Sequence, residues 1–463
     1  MSPSSRHTGQ EAAAVDPSPI GSPLPFSFSG QTAPNRFLKA AMTERVSSWD
    51  ATDLTKRGIP SPELVNLYRR WGEGGWGIIL TGNVMVAPDQ LEAAGNPVIP
   101  RGAPFEGERF EAFRAVAAAA KQASRGTNGS KSLVVMQVSH PGRQVSARIQ
   151  PHPISASDVQ LEGTLLGMTF AKPRAMEHPA DFDAVVDSFA HAAEYAHRAG
   201  YDGVQLHGAH GYLLAQFLSP TTNRRTDGYG GSILNRGRII FEIAAEIRRR
   251  VGPAFSLAIK LNSVEFQDAG FSPEDCRDLC AELEKAGFDW VELSGGTYQQ
   301  LAFSHRREST RRREAYFLEF AELVAPQLGG RTKVYVTGGF RSTAAMVAAL
   351  KSVDGVGLGR PAADEPDLPN KLLAKGVPGA LKLALDEDDM SLTNVAAGTQ
   401  IKLVSEDKQP LNLTRADHVA VFLRSVAAWR EEQAANSDNS KYGFPTVVEE
   451  GGFKLQPYGT PYS

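Results

Sequence analysis

From Asn35 onward, short β-branched runs alternate with longer stretches of helical period, and this order constrains the fold more than any other feature of the chain. Strand, helix and strand in succession is the pattern of parallel βαβ units. It predicts strands at 36–42, 77–83, 132–139, 203–208, 255–262, 290–295, 333–338 and 355–360. Helices are expected at 63–73, 109–123, 182–199, 235–251, 273–286, 314–328, 343–350 and 367–374, where apolar residues recur every three or four positions. Eight of each between residues 35 and 376 fit an α/β chain folded as a (β/α)8 TIM barrel. An open Rossmann sheet is the rival, but no G-x-G-x-x-G follows a strand with an acid some twenty residues later.

This rhythm divides the chain into an N-terminal arm (1–34), the barrel (35–376) and a C-terminal extension (377–463). The arm is rich in Ser, Pro and Ala, carries Glu11 and Asp16, and lacks the apolar core of a secretory signal, so it reads as a loose arm of a cytoplasmic protein. Loop insertions at 85–107 and 141–179 fall after the second and third strands, on the face where barrels build their pockets. One helix is expected in the extension, at 416–432, packing on the barrel or on a neighbouring copy in a homo-oligomer.

Lys plus Arg number 49 against 52 Asp plus Glu, a net charge of −3, which gives no basic excess to attract nucleic acid or an anionic membrane. The most apolar stretches, 76–81 and 132–138, fall far short of the roughly 20 residues that span a bilayer. The only cysteines, Cys276 and Cys280, are too few for a disulfide framework, an iron-sulfur cluster or a Cys-rich zinc site.

The fourth strand ends in GVQLHGAHGYLLAQFLSP, which sets His207, His210 and Tyr212 at the barrel mouth. Two imidazoles can donate to one developing oxyanion and a nearby phenol can deliver a proton, which together would polarise a carbonyl and complete a reduction. The bland alternative is a satisfied core histidine beside a packing tyrosine. Zinc is a third option, but H-x-x-H lacks an evident third ligand, so no metal is expected. The next stretch, FLSPTTNRRTDGYGGSILNRGR, reads as an ordered loop whose Ser232 caps a helix.

The run from His207 to Arg238 closely resembles the Old Yellow Enzyme family of flavin-dependent ene-reductases, whose members carry H-x-x-H-G-Y or H-x-x-N-G-Y and then F-L-x-P-x-x-N-x-R-x-D-x-Y-G-G-S-x-x-N-R. The likeness extends from Asn35 to about Gly376, because PNRFLKAAMTE resembles the family's first strand, and VTGGF and GLGRP its last two. It implies noncovalent FMN, NADH or NADPH as reductant, and an activated alkene as the small-molecule substrate. Thr43 matches the residue beside the flavin C4 carbonyl, Gly82 the small residue the flavin edge approaches, and Gln137 the amide that pairs with the flavin pyrimidine. Lys260 takes the cationic position near flavin N1, where the family more often has Arg; the charge remains, but the bidentate fork does not. Gly338, Gly339, Phe340 and Arg341 after the seventh strand, with Gly359 and Arg360 after the eighth, match the phosphate loops. Each has an ordinary counterpart: a cap, a turn glycine, a surface amide, a structural ion pair.

Arg143, in SHPGRQV, faces either substrate or structure, and the four arginines of ESTRRREAYF (308–317) either receive the nicotinamide's phosphates or face solvent. Arg45 stands where some bacterial relatives place a substrate-contacting Tyr, so substrate contacts do not transfer. The absence of a Cys-rich region after Gly376 separates the chain from the larger dienoyl-reductase relatives. Within the family, a dehydrogenase or isomerase on the same flavin stays open. Outside it, the rivals are a Schiff-base aldolase using Lys260 and a non-catalytic binding barrel.

Overall fold

The structure is a computed structural model that describes residues 5–8, 15–124, 130–164, 168–262, 270–294, 322, 324–387 and 389–462. Among the described residues, eight parallel strands close into a barrel: β1 (Phe37–Lys39), β2 (Ile78–Met85), β3 (Leu133–Ser139), β4 (Gly203–Gly208), β5 (Ser256–Asn262), β6 (Trp290–Ser294), β7 (Lys333–Thr337) and β8 (Gly355–Leu358). Each strand pairs with the next in sequence, and β8 returns to β1 with Val356 opposite Phe37 and Leu358 opposite Lys39. Every residue of β2, β3, β4 and β5 is buried, as befits strands covered on both faces.

The surrounding helices include α1 (Pro62–Glu73), α2 (Gly107–Ala123), α3 (Pro179–Arg198), α4 (Arg238–Val251), α5 (Pro273–Lys285), α6 (Thr343–Ala349) and α7 (Leu368–Ala374). Their starts follow local chemistry. Ser61, Ser272 and Ser342 each accept a backbone N–H from the first turn of α1, α5 and α6, and prolines open α1 and α5. The single helix expected at 235–251 is two, Ile233–Arg236 and α4, because Gly237 ends one and starts the other. Most of the helix expected at 314–328 lies outside the described residues, and its end, Ala325–Gln327, is a 3-10 turn. β1 and β8 are shorter than their sequence patterns: residues after Lys39 leave the wall to build the mouth, and Arg360 opens a helix, Arg360–Asp364.

The arm is not loose over its described part. Leu24–Pro25 and Thr32–Ala33 form a small antiparallel pair, and Leu24, Phe26 and Ala33 enter the interior cluster of Leu38, Ile78, Leu133, Trp290 and Tyr335. The Phe26 ring lies 5.0 Å from that of Trp290. The Ser- and Pro-rich composition conceals these apolar residues, which plug the barrel's N-terminal end. In the extension, the expected helix runs as α9 (Ala416–Ala435), preceded by an unanticipated α8 (Met390–Ser405). α8 is buried on most sides, so it carries little of the amphipathic signal that marks a surface helix. The two helices build their own apolar cluster around Leu403, Val421 and Phe422, and Asn66 of α1 donates to the carbonyls of Val404 and Ser405. Among the described residues, no helix is long and apolar enough to cross a membrane.

Candidate functional site

His207 is the fifth residue of β4, and the chain turns sharply after the strand. His210 adopts a left-handed backbone with φ of 57°, an unfavourable conformation for a non-glycine residue. Its backbone N–H donates to Asn262 Oδ1 at 3.0 Å, which holds the turn against β5. The result brings His210 Nδ1 to 3.4 Å from His207 Nε2, while Tyr212 packs perpendicular to the His207 ring with centroids 4.5 Å apart. The structure therefore brings the three motif residues together at the C-terminal end of the barrel. Burial, with the nearby Lys260 charge, pushes His210 down to about 3 and His207 well below the ordinary histidine range, so both rings are neutral near pH 7.

Lys260 is the register neighbour of His207 on β5, and its Nζ lies 2.9 Å from Glu292 Oε1 on β6. The other Glu292 oxygen accepts from Gln205 Nε2 at 2.7 Å, and Gln205 Oε1 accepts from Gln137 Nε2 at 2.7 Å. Hydrogen bonds thus join Gln137, Gln205 and Glu292 across β3, β4 and β6, and the Glu292–Lys260 ion pair extends the chain to β5. A Gln whose Nε2 is anchored below presents its remaining N–H and its carbonyl to whatever lies above.

Thr43 lies in the loop after β1, and its hydroxyl donates to Glu92 Oε2 at 2.9 Å. Glu92 belongs to the 85–107 insertion and also faces the Arg45 guanidinium at 3.6 Å. Arg45 stacks on Phe444 of the extension, 4.9 Å from its ring centroid. Gly82 is neither at the strand's end nor in a turn: it lies inside β2, at an irregularity between Leu80 and Asn83. Its N–H donates to Glu44 Oε1 at 2.8 Å, and a Cβ there would meet Glu44 Oε2 at 2.1 Å and the Met42 carbonyl at 2.3 Å. The small side chain is required by the protein itself.

Gly338 and Gly339 follow β7 with φ of 148° and 78°, conformations that favour glycine. Phe340 is buried in the main core, so only its backbone can serve a ligand. Gly359 precedes the helix opened by Arg360, whose Nη1 donates to Thr393 Oγ1 of α8 at 2.5 Å. Arg341 approaches Glu387 at 3.5 Å, and both arginines line a small cavity with Asp364 and Glu365. Arg143 donates to the carbonyls of Val159 and Gln160, which is a structural role. The arginine cluster at 308–317 lies outside the described residues. Among the described residues, no group of three His, Cys, Asp or Glu is placed to share a metal.

These residues fit a flavin mononucleotide. Asn83 Oδ1, Ser139 Oγ, Asn262 Nδ2 and Thr337 Oγ1 are buried without a hydrogen-bond partner among the described residues, and they sit in the C-terminal halves of β2, β3, β5 and β7. Buried polar atoms are normally paired, so this ring of donors and acceptors matches a polar-edged ligand at the mouth. Sequence reasoning missed Glu292, Gln205, Glu92, Glu44 and Ser294. Glu292 and Gln205 are polar residues within otherwise apolar strands, a readable signal, whereas Glu92 and Glu44 are loop acids with none.

A sequence profile of the NADH:flavin oxidoreductase / NADH oxidase family matches residues 24–378. The chain is 48% identical over 436 residues to the NADH-dependent flavin oxidoreductase nadA of Aspergillus parasiticus, covering 94% of this chain and 96% of that protein. It is 33% identical over 374 residues to the NADH-dependent flavin oxidoreductase iliE of Hypocrea jecorina, covering 76% and 88%. Among solved structures, morphinone reductase superposes with a TM-score of 0.62 at 22% identity, covering 80% of this chain and 92% of that one, a likeness of fold.

Proposed function

Because the chain belongs to the NADH:flavin oxidoreductase / NADH oxidase family, we propose that it holds noncovalent FMN and delivers a hydride to the β-carbon of an activated alkene, an α,β-unsaturated carbonyl. NADH is the favoured reductant over NADPH, since both relatives are named NADH-dependent. The observation that carries the reading is the pair of neutral imidazoles, His207 buried and His210 half-buried, their facing nitrogens 3.4 Å apart, with the Tyr212 ring against His207.

Gln137 and Lys260 would hold the flavin ring, and the loops at Gly338, Gly339, Gly359 and Arg360 its phosphate. When bound, FMN supplies the two-electron carrier that no side chain here provides. His207 and His210 hold the substrate carbonyl oxygen and stabilise the negative charge that develops on it, a contribution of about 3 kcal/mol per well-placed donor. Tyr212 delivers the proton to the α-carbon. A Schiff-base aldolase requires a free amine, whereas Lys260 is clamped by a buried carboxylate. A dehydrogenase or isomerase would use the same residues and differs only in the fate of the electrons.

The test is an anaerobic cycle. The purified protein is expected to be yellow, to release FMN on heating, to bleach with NADH and to regain its colour on adding an enone. A colourless protein after FMN reconstitution, or one reoxidised by dioxygen but by no activated alkene, overturns the reading.

A further inference from the structure

A neutral imidazole has one N–H and one bare nitrogen, so a histidine donates to substrate only if its hydrogen sits on the correct side of the ring. The turn after β4 assigns His207: the Ala209 N–H donates to Nδ1 at 3.3 Å, which leaves the hydrogen on Nε2, facing His210. His210 has two choices. Its Nδ1 faces His207 Nε2 at 3.4 Å, and its Nε2 lies 3.0 Å from Ser294 Oγ.

If His210 carries its hydrogen on Nε2, it donates to Ser294 and accepts from His207. The chain then closes on itself, with no imidazole hydrogen left for a ligand. If instead Ser294 donates its O–H to Nε2, the His210 hydrogen sits on Nδ1. The hydrogens of His207 Nε2 and His210 Nδ1 then converge and require an acceptor between them. A serine hydroxyl serves in either role, while a methyl group serves in neither.

Resting on the reading of His207 and His210 as the oxyanion pair, we propose that Ser294 is the positioning residue that donates its O–H to His210 Nε2 when an oxyanion is bound, which keeps the His210 hydrogen on Nδ1 as the pocket's second N–H donor. Asn262 and Ser294 are register partners at the ends of β5 and β6. One rung of the barrel wall therefore holds His210 at two points, its backbone N–H through Asn262 and its ring through Ser294. Ser294 is buried, so water does not readily replace its hydroxyl. The arrangement selects ligands by chemistry: the pocket takes an oxygen that accepts twice, such as a carbonyl, a nitro group or a phenolate, in preference to an alcohol or amine that must donate.

The experiment uses FMN-loaded protein, a para-substituted phenol as the oxyanion probe, and 15N-histidine NMR, with the His210 signals identified by their loss in His210→Ala. With the phenol bound, wild type is expected to show His210 protonated on Nδ1 and accepting on Nε2. Ser294→Ala is expected to bind the phenol about tenfold more weakly with flavin loading unchanged, and Ser294→Thr to restore affinity. In the His210→Ala background, Ser294→Ala is expected to have no further effect, which a merely structural serine would not produce. His210 protonated on Nε2 in the wild-type complex, or equal affinity for Ser294→Ala and wild type, overturns the assignment while leaving the histidine pair in place. Failure of the phenol to bind wild type overturns the pair itself and this proposal with it.

Discussion

Lys260 Nζ lies 2.9 Å from Glu292 Oε1, with both side chains almost completely removed from solvent. Breaking such a pair by removing one partner strands a charge in a low-dielectric interior, which costs roughly 3–5 kcal/mol. Glu292→Gln is therefore expected to destabilise the flavin-free protein by about that amount in a urea unfolding titration, whereas the double variant Lys260→Met/Glu292→Met recovers much of the loss. Equal destabilisation by the single and double variants would mean that the carboxylate serves the fold through Gln205 rather than through Lys260.

Gly82 makes a second, sharper demand. Since an added methyl would collide with both Glu44 Oε2 and the Met42 carbonyl, Gly82→Ala must push β1's loop away from β2. Overpacking of this kind costs about 1–3 kcal/mol. Glu44→Ala removes the side-chain clash but also the carboxylate that accepts from the Gly82 N–H and the Tyr68 hydroxyl, so the comparison is made against Glu44→Ala alone: in that background Gly82→Ala should cost less in a thermal melt than it does in wild type, the backbone carbonyl remaining in the way. No added cost in that background would show that the carboxylate alone excludes a side chain at 82.

How legible was this in the sequence? The barrel was, because strands buried on both faces write continuous apolar runs such as SLVVMQV, and because the helices between them repeat apolar residues every three or four positions. His207, His210 and Tyr212 were also legible, since they share one short turn and need no distant partner to be recognised. The partners of those residues were not. Glu292 meets Lys260 and Gln205 through strand register, and Thr43 meets Glu92 through a loop insertion; pairings of that kind depend on closing the barrel. The same holds for the arm, whose few apolar residues acquire meaning only when the barrel offers an open end to plug. Likewise α8 escaped notice because a helix buried on most sides loses the stripe that periodicity detects.

Buried histidines give the stability a sign that can be checked. His140 and His210 are held at about 3 and His207 is also depressed, in each case chiefly by burial, so below about pH 6.5 the unfolded chain binds protons the native protein refuses. Stability should fall as the pH drops through this window, at roughly 1.4 kcal/mol per pH unit for each such histidine. Asp364 opposes this, because burial raises it to about 7 and the native protein then holds a proton the unfolded chain has lost. His191 and His418 are depressed in the same direction, and Glu242 and Glu406 are raised with Asp364, so five histidines stand against three carboxylates. His140→Asn, which keeps an acceptor for the Gly142 N–H, should flatten the dependence between pH 4 and 6.5, and Asp364→Asn should steepen it. Urea titrations at several pH values decide, and a dependence that neither variant moves would refute the assignment.

Tyr212 lies against His207 with its ring perpendicular, at the start of the short helix Leu213–Leu218, and is almost fully buried. On the proposed reading, this phenol acts only when the alkene's α-carbon needs a proton, which belongs to the second half of the catalytic cycle. Tyr212→Phe preserves the ring, and hence the packing on His207, but removes the transferable hydrogen. The rate at which the alkene reoxidises the reduced enzyme should therefore fall by about 10² to 10⁴, the usual contribution of a positioned proton donor. Reduction by NADH, which needs no proton from this residue, should stay within a factor of about two, since the substitution leaves the other residues of the site unchanged. Stopped-flow absorbance under anaerobic conditions measures each half-reaction separately. A slowed reductive half-reaction would place Tyr212 in nicotinamide binding. An unchanged oxidative half-reaction would assign the proton to solvent, leaving the two histidines as the substrate-activating groups.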